Sequence, residues 1–194
     1  MSYESTIAKA IGYWPLQDDA ANTTVVNDAG TNATLEGGKT TATTSVTGPT
    51  GWLPAAIDLD GTNDYIDLGT LTSATTDELT LFGWFKGSNS QSMVRLQPDS
   101  SSYAVLSFPS SPRSIISVDG GTTGLDFDGQ LSEDDTWVHV ATTWKRNTVD
   151  GWKNYINGVE VNTKNAANEA LTCWGGDAGI GARVLTVGRP TQGM

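Results

Sequence analysis

From residue 13 onward the hydrophobic and polar positions alternate with a period of two over most of the chain. In Glu78–Lys86, Leu79, Leu81, Gly83 and Phe85 share one face of an extended backbone, and Thr80, Phe82, Trp84 and Lys86 share the other. The runs SMVRLQ, SYAVLSF, SIISVDG and TGLDFDG follow at the spacing of about 8–12 residues that marks a sandwich or barrel. TWVHVATTW then sets Val138, Val140, Thr142 and Trp144 against Trp137, His139 and Ala141. KNYINGVEV follows a polar turn, and RVLTVGR is the last strand of the pattern. Upstream, Ser5 can cap a short helix reaching Ile11. Tyr13-Trp14-Pro15-Leu16 reads as a strand, ended by Asp18-Asp19. Residues 20–50 read as loop, with two short strands near Val25-Val26 and Ala33–Leu35. Ala56–Leu59 and Tyr65–Leu68 are expected as strands on either side of a polar heptad. With no long amphipathic helix, the fold class is all-β.

Composition agrees with that pattern. A chain of 194 residues can bury a real core as one domain. Its 22 Gly, seven Trp and long Thr-, Ser- and Asn-rich tracts suit many turns between strands. The net charge of −11 argues against nucleic acid as a partner, because phosphate binding needs a basic footprint. Cys173 is alone, so no intrachain disulfide is possible, and it reads as a small apolar residue. The N-terminus lacks a basic segment followed by an apolar one, so no signal peptide is visible. No run approaches the ~20 apolar residues of a membrane span, so no membrane is expected as a partner.

The heptad Asp58-Leu59-Asp60-Gly61-Thr62-Asn63-Asp64 contains the Asp-x-Asp-Gly-Thr phrase of haloacid-dehalogenase-type phosphotransferases. That chemistry works at the end of a parallel strand with a helix following to help bind phosphate. Here an alternating strand follows, and no strand–helix–strand pattern lies on either side. The string is therefore expected to build a tight turn, with Gly61 at positive φ and Asp60, Asn63 and Asp64 satisfying turn amides.

With the strands placed, a family pattern becomes legible. YWPLQDD, VVNDAGTNATLEGG and AAIDLDGTNDYIDLG resemble the opening of LamG-like jelly-roll domains of the concanavalin A-like lectin/glucanase superfamily. LTLFGWFKG resembles the family's central strand, DTWVHVATTW its Trp-x-His-Val-Ala strand, NYINGVEV its Asn-Gly hairpin and LTVGRP a late strand. The resemblance implies two antiparallel sheets packed face to face, with residues 1–12 an N-terminal segment and 13–194 the sandwich. The family usually continues with a further strand, so this sandwich is expected to lack its last one. That omission would leave the edge beside Tyr13–Leu16 open to other protein subunits, and the chain is expected as an oligomer or part of an assembly. The segment MSYESTIAKAIGYWPL is similar to LamG-like proteins of tailed-bacteriophage particles. It implies a virion or extracellular-surface location without a leader.

The resemblance also directs where chemistry is sought. Laminarinase-like members carry Glu-x-Asp-x-x-Glu on one strand, with two glutamates as nucleophile and acid/base. Glu133-Asp134-Asp135 is the nearest approach, and Val138 stands where the third carboxylate belongs. No catalytic residue is therefore assigned. A lone His gives no zinc constellation, and His139 is expected to be structural. Some members hold one structural Ca²⁺ at the rim, and the candidate ligands here are Asp18, Asp19, Asp58, Asp60, Asn63 and Asp64, with Asp126 and Asp128 in a second loop. Solvated, metal-free turns are the preferred alternative. Trp14, Trp84 and Trp137 look like core by strand position, whereas Trp52, Trp152 and Trp174 sit in loops and are the candidate sugar platforms. The leading reading is a non-catalytic binding or adhesion module for a glycan or cell-surface polysaccharide, displayed on an assembly such as a phage virion. A purely structural virion decoration protein is the alternative, and a glycoside hydrolase the third.

Overall fold

The computed structural model describes residues 10–50, 53–71, 75–86, 91–97, 103–108, 113–118, 121–127, 136–166, 171–172 and 177–181. Strands β1 (Thr24–Val25) and β2 (Ala33–Glu36) precede a single helical turn, α1 (Thr41–Thr44). Then come β3 (Ser45–Thr50), β4 (Leu53–Ile57), β5 (Tyr65–Thr70), β6 (Thr75–Thr76) and β7 (Glu78–Phe85). The middle of the chain forms β8 (Gln91–Gln97), β9 (Tyr103–Phe108), β10 (Arg113–Val118) and β11 (Gly121–Asp126). The last described strands are β12 (Val138–Lys145), β13 (Trp152–Ile156), β14 (Val159–Lys164), β15 (Leu171–Thr172) and β16 (Asp177–Gly181).

Two antiparallel sheets make the sandwich. One has eight strands in the order β1-β2-β5-β16-β8-β9-β10-β11, the other four in the order β14-β13-β12-β7. Their facing sides meet in one core: Leu35, Ile66, Leu68, Leu96, Leu106 and Leu125 from the larger sheet, and Leu79, Leu81, Val140, Trp144, Trp152 and Ile156 from the smaller. The alternation read from the sequence is the cause. In β12, Val138, Val140, Thr142 and Trp144 are buried while His139, Ala141 and Thr143 are only partly covered.

The two strands flanking the polar heptad do not pair with each other. β4 pairs with β3, and β5 pairs with β2 and β16, so residues 58–64 carry the chain from one sheet to another. α1 and β3 form where loop was expected. Thr40 caps the helical turn through a reciprocal bond with Thr43, and its fully buried Thr41 bonds to Ala20 O and Ala20 N.

Residues 13–16 correct an expectation, because they are not a strand. Pro15 has no N–H, and Leu16 sits at φ 58, which ends any extended run. Instead Tyr13 N donates to Asn27 Oδ1 at 2.9 Å and Tyr13 O accepts from Asp28 N at 2.9 Å. The edge expected there for another subunit is thus replaced by an irregular segment tied to its neighbour loop, with Trp14 and Leu16 packed on the core. The helix expected at 5–11 lies largely outside the described residues, as does the LTVGRP strand. No helix among the described residues is long and apolar enough to cross a membrane.

Candidate functional site

The outer face of the four-stranded sheet carries aromatic side chains where solvated polar ones would be ordinary. The register that turns Leu79 and Leu81 inward turns Thr80, Phe82 and Trp84 outward. Phe82 is 49% exposed and Trp84 37%. Across the β7–β12 ladder Trp84 is opposite His139 and Phe82 is opposite Ala141; Ala141 is in turn opposite Tyr155 of β13. Ala141 contributes only a methyl between the Phe82 and Tyr155 positions. The His139 ring meets the Trp84 ring edge-on, with centroids 5.4 Å apart and planes at 63°. It lies 6.2 Å from the Phe82 ring at 40°. Burial holds the His139 imidazole below its ordinary pKa, so it is neutral at neutral pH.

The end of this platform is fixed by the Asn-Gly hairpin between β13 and β14. Asn157 (φ 48) and Gly158 (φ 81) take the paired positive φ values of a type I′ turn. From there Asn157 Oδ1 accepts from His139 N at 3.0 Å, and Asn157 N donates to His139 O at 2.8 Å. At the other end the face turns charged, with Lys145 Nζ 2.6 Å from Glu78 Oε1 and Arg146 Nη1 3.0 Å from Asp77 Oδ1. On the hairpin side, where Glu160 is opposite Tyr155, Lys153 Nζ lies 2.7 Å from Glu160 Oε2. Both lysines are held above their ordinary pKa by those carboxylates.

Sequence reasoning placed Trp84 in the core, and the structure corrects this. Its own strand held the signal, since Trp84 shares a face with Thr80 and Lys86 and opposes the inward leucines. Trp137 is half-buried, and so is Trp14. Trp152 is corrected in the opposite sense: it is no hairpin-tip platform but is 2% exposed, the first inward residue of β13. Its Nε1 donates to Ser114 Oγ at 3.0 Å and to Thr142 Oγ1 at 3.1 Å. Ser114 Oγ donates to Asn154 Oδ1 at 2.7 Å, and Asn154 Nδ2 donates to Leu125 O at 2.8 Å. Trp52 and Trp174 lie outside the described residues, as do Asp128, Cys173 and Glu133-Asp134-Asp135.

The heptad is a turn built around Asp60. Asp60 Oδ1 accepts from Thr62 N at 2.8 Å, Asn63 N at 3.2 Å and Asp64 N at 3.4 Å, with Gly61 at φ 71. The amide of Thr62 and the Lys39 ammonium hold the Asp60 carboxyl down at about 2. Lys39 Nζ bridges the two carboxylates, 3.1 Å from Asp60 Oδ2 and 2.6 Å from Asp64 Oδ2. Asp64 is completely buried, and Gly37 at φ 102 makes room for it, because a Cβ there would collide with Asp64 Oδ1. Asp58 and Asp60 line one shallow cleft of about 410 Å³ together with Lys39 and Thr40. Asn63 Nδ2 donates elsewhere, to Gly37 O at 3.3 Å. Asp18 accepts from Val26 N at 3.2 Å, and Asp19 is exposed. Among the described residues no three His, Cys, Asp or Glu side chains gather to hold a metal ion. As arranged, these groups do not fit calcium, which wants six to eight oxygens, since an ammonium already joins the two nearest carboxylates.

No curated protein matches the chain. Among solved structures it is similar to domains LG4-5 of the mouse laminin alpha1 chain, with a TM-score of 0.52 and 14% identity over 67% of this chain. At that identity the likeness concerns the fold alone, and the chain spans 35% of the length of that solved chain. The laminin G family model of the concanavalin A-like lectin/glucanases superfamily matches residues 60–194. That match takes in β5 through β16, which include all four strands of the smaller sheet and six of the eight in the larger. The chain therefore belongs to the laminin G family of the concanavalin A-like lectin/glucanase superfamily.

Proposed function

We propose that this domain is a non-catalytic adhesion module that binds a glycan on the outer face of its four-stranded sheet. We further propose that it is displayed on the surface of a larger assembly such as a phage particle. The observation that carries the binding reading is the exposure of Phe82 and Trp84 side by side on β7, backed by His139. Large aromatics left in solvent on a sheet face are costly unless something covers them. A pyranose ring offers a flat C–H face that stacks on such rings, while its hydroxyls bond to polar neighbours. Thr80, Thr143 and Tyr155 supply those neighbours on the same face. The display reading is supported by the N-terminal segment and its similarity to phage-particle proteins.

A structural decoration protein is the second reading, favoured by the same exposed apolar pair, which would suit the core of a subunit contact. An immobilised glycan array, read with the wild-type chain and with Trp84→Ala and Phe82→Ala, separates the two. The adhesion reading expects glycan binding that falls by about tenfold or more in each variant, as for a central aromatic contact. Silence on every glycan, with self-association in sedimentation that Trp84→Ala abolishes, would give the face to a protein subunit. Release of reducing ends from a bound polysaccharide would overturn the non-catalytic part.

A further inference from the structure

We infer that the glycan taken by this face is neutral, carrying neither carboxylate nor sulfate. The inference rests on the adhesion reading above and concerns the chemistry of its ligand. An anionic sugar needs an uncompensated cation or a cluster of donors. On this face each described basic side chain is already engaged: Lys145 with Glu78, Lys153 with Glu160, and Arg146 with Asp77. Lys86, next along the aromatic row, also has a partner. An anion recruiting Lys145 or Lys153 would have to displace Glu78 or Glu160 and then lie beside the displaced carboxylate. The one titratable ring at the platform, His139, is uncharged, packed against Phe82 and Trp84. Beyond the face, the molecule carries a net charge of −11, so an approaching polyanion meets repulsion within the Debye length of about 8 Å at physiological salt. What remains are ring faces and the hydroxyls of Thr80, Thr143 and Tyr155, which suit hydroxylated sugars and add no charge.

The test is an array presenting the same oligosaccharide backbones unmodified, sialylated and sulfated, read at low and high salt. The neutral forms are expected to bind, and the signal should hold as salt rises. Adding sialate or sulfate to a bound backbone should weaken binding by about tenfold or more, as like-charge juxtaposition does. A second variant probes the cause without touching the aromatic rings. Glu78→Gln with Glu160→Gln frees Lys145 and Lys153, and should raise the binding of the sulfated forms selectively. Melting curves of wild type and variant establish that both are folded. Equal or tighter binding of charged forms by the wild type, weakening with salt, would overturn the inference while leaving the adhesion reading intact. Binding to no glycan would remove the adhesion reading, and this inference with it.

Discussion

Lys39 shows how one residue can settle what a motif means. In the sequence it lies 21 positions before Asp60 and 25 before Asp64, among threonines and glycines, and nothing marks it as their partner. In the fold it joins both carboxylates, and Asp64 has no access to water. A buried carboxylate without a counter-charge is costly, so Lys39→Met is expected to lower the melting temperature measurably. Asp60→Asn should cost less, because Asp60 is partly solvated and Asp64 keeps its ammonium. Millimolar Ca²⁺ should leave the wild-type melting temperature unchanged. A calcium-dependent rise that Asp60→Asn abolishes would put a metal at this turn in place of the lysine bridge.

At the level of elements, the β7–β12 pair is a two-sided object. Its inner face is ordinary core, and its outer face sets two rings, Phe82 and Trp84, against a neutral imidazole. Because burial lowers the pKa of His139, the folded state binds a proton less readily than the unfolded chain does. The sign follows: this contribution to stability is full above the ordinary histidine pKa and is lost as pH falls through that value toward the folded one. Phe82→Ala should open one side of the ring to water, move the His139 pKa back up and flatten this dependence. The sequence has one His, so an NMR titration of its ring protons reads the effect directly. An unchanged pKa in Phe82→Ala would show that another group, and not this ring, desolvates the imidazole.

Across the whole molecule, the two sheets are joined by polar bonds as well as by apolar packing. Ser114 of β10 in the larger sheet accepts from Trp152 and donates to Asn154, both on β13 of the smaller one. Asn154 Nδ2 also reaches Leu125 O on β11. These groups are buried, so removing one leaves its partners without water or protein to replace it. Asn154→Leu is expected to destabilise by about 1–3 kcal/mol in a denaturant titration, and Trp152→Phe by a similar amount. The double variant should cost less than the sum, since both substitutions strand the same Ser114 hydroxyl. Additive losses would show that the two bonds act independently and that the network reading is wrong.

The sequence by itself determined the elements whose side chains alternate strictly. β7 and β8 through β14 were legible because burial on one face of a strand imposes a period of two on the residue types. The turn at Asp60-Gly61 was legible because few residue pairs satisfy that backbone. The same alternation sets Trp84 on the polar side of β7 with Thr80 and Lys86, but its bulk reads as core; Trp152 reads as a loop residue because the pattern begins the strand one position later, at Lys153. The order of strands was beyond the alternation altogether. β16, Asp-Ala-Gly-Ile-Gly, is not among the strands expected from the alternation, yet it lies in the interior of the larger sheet between β5 and β8. Its backbone groups are paired by two neighbours from distant parts of the chain, and Leu59 leaves no room for a side chain at Gly181. A strand held from both sides needs little from its own side chains. Only the tertiary structure, which brings those neighbours and Lys39 into place, could decide them.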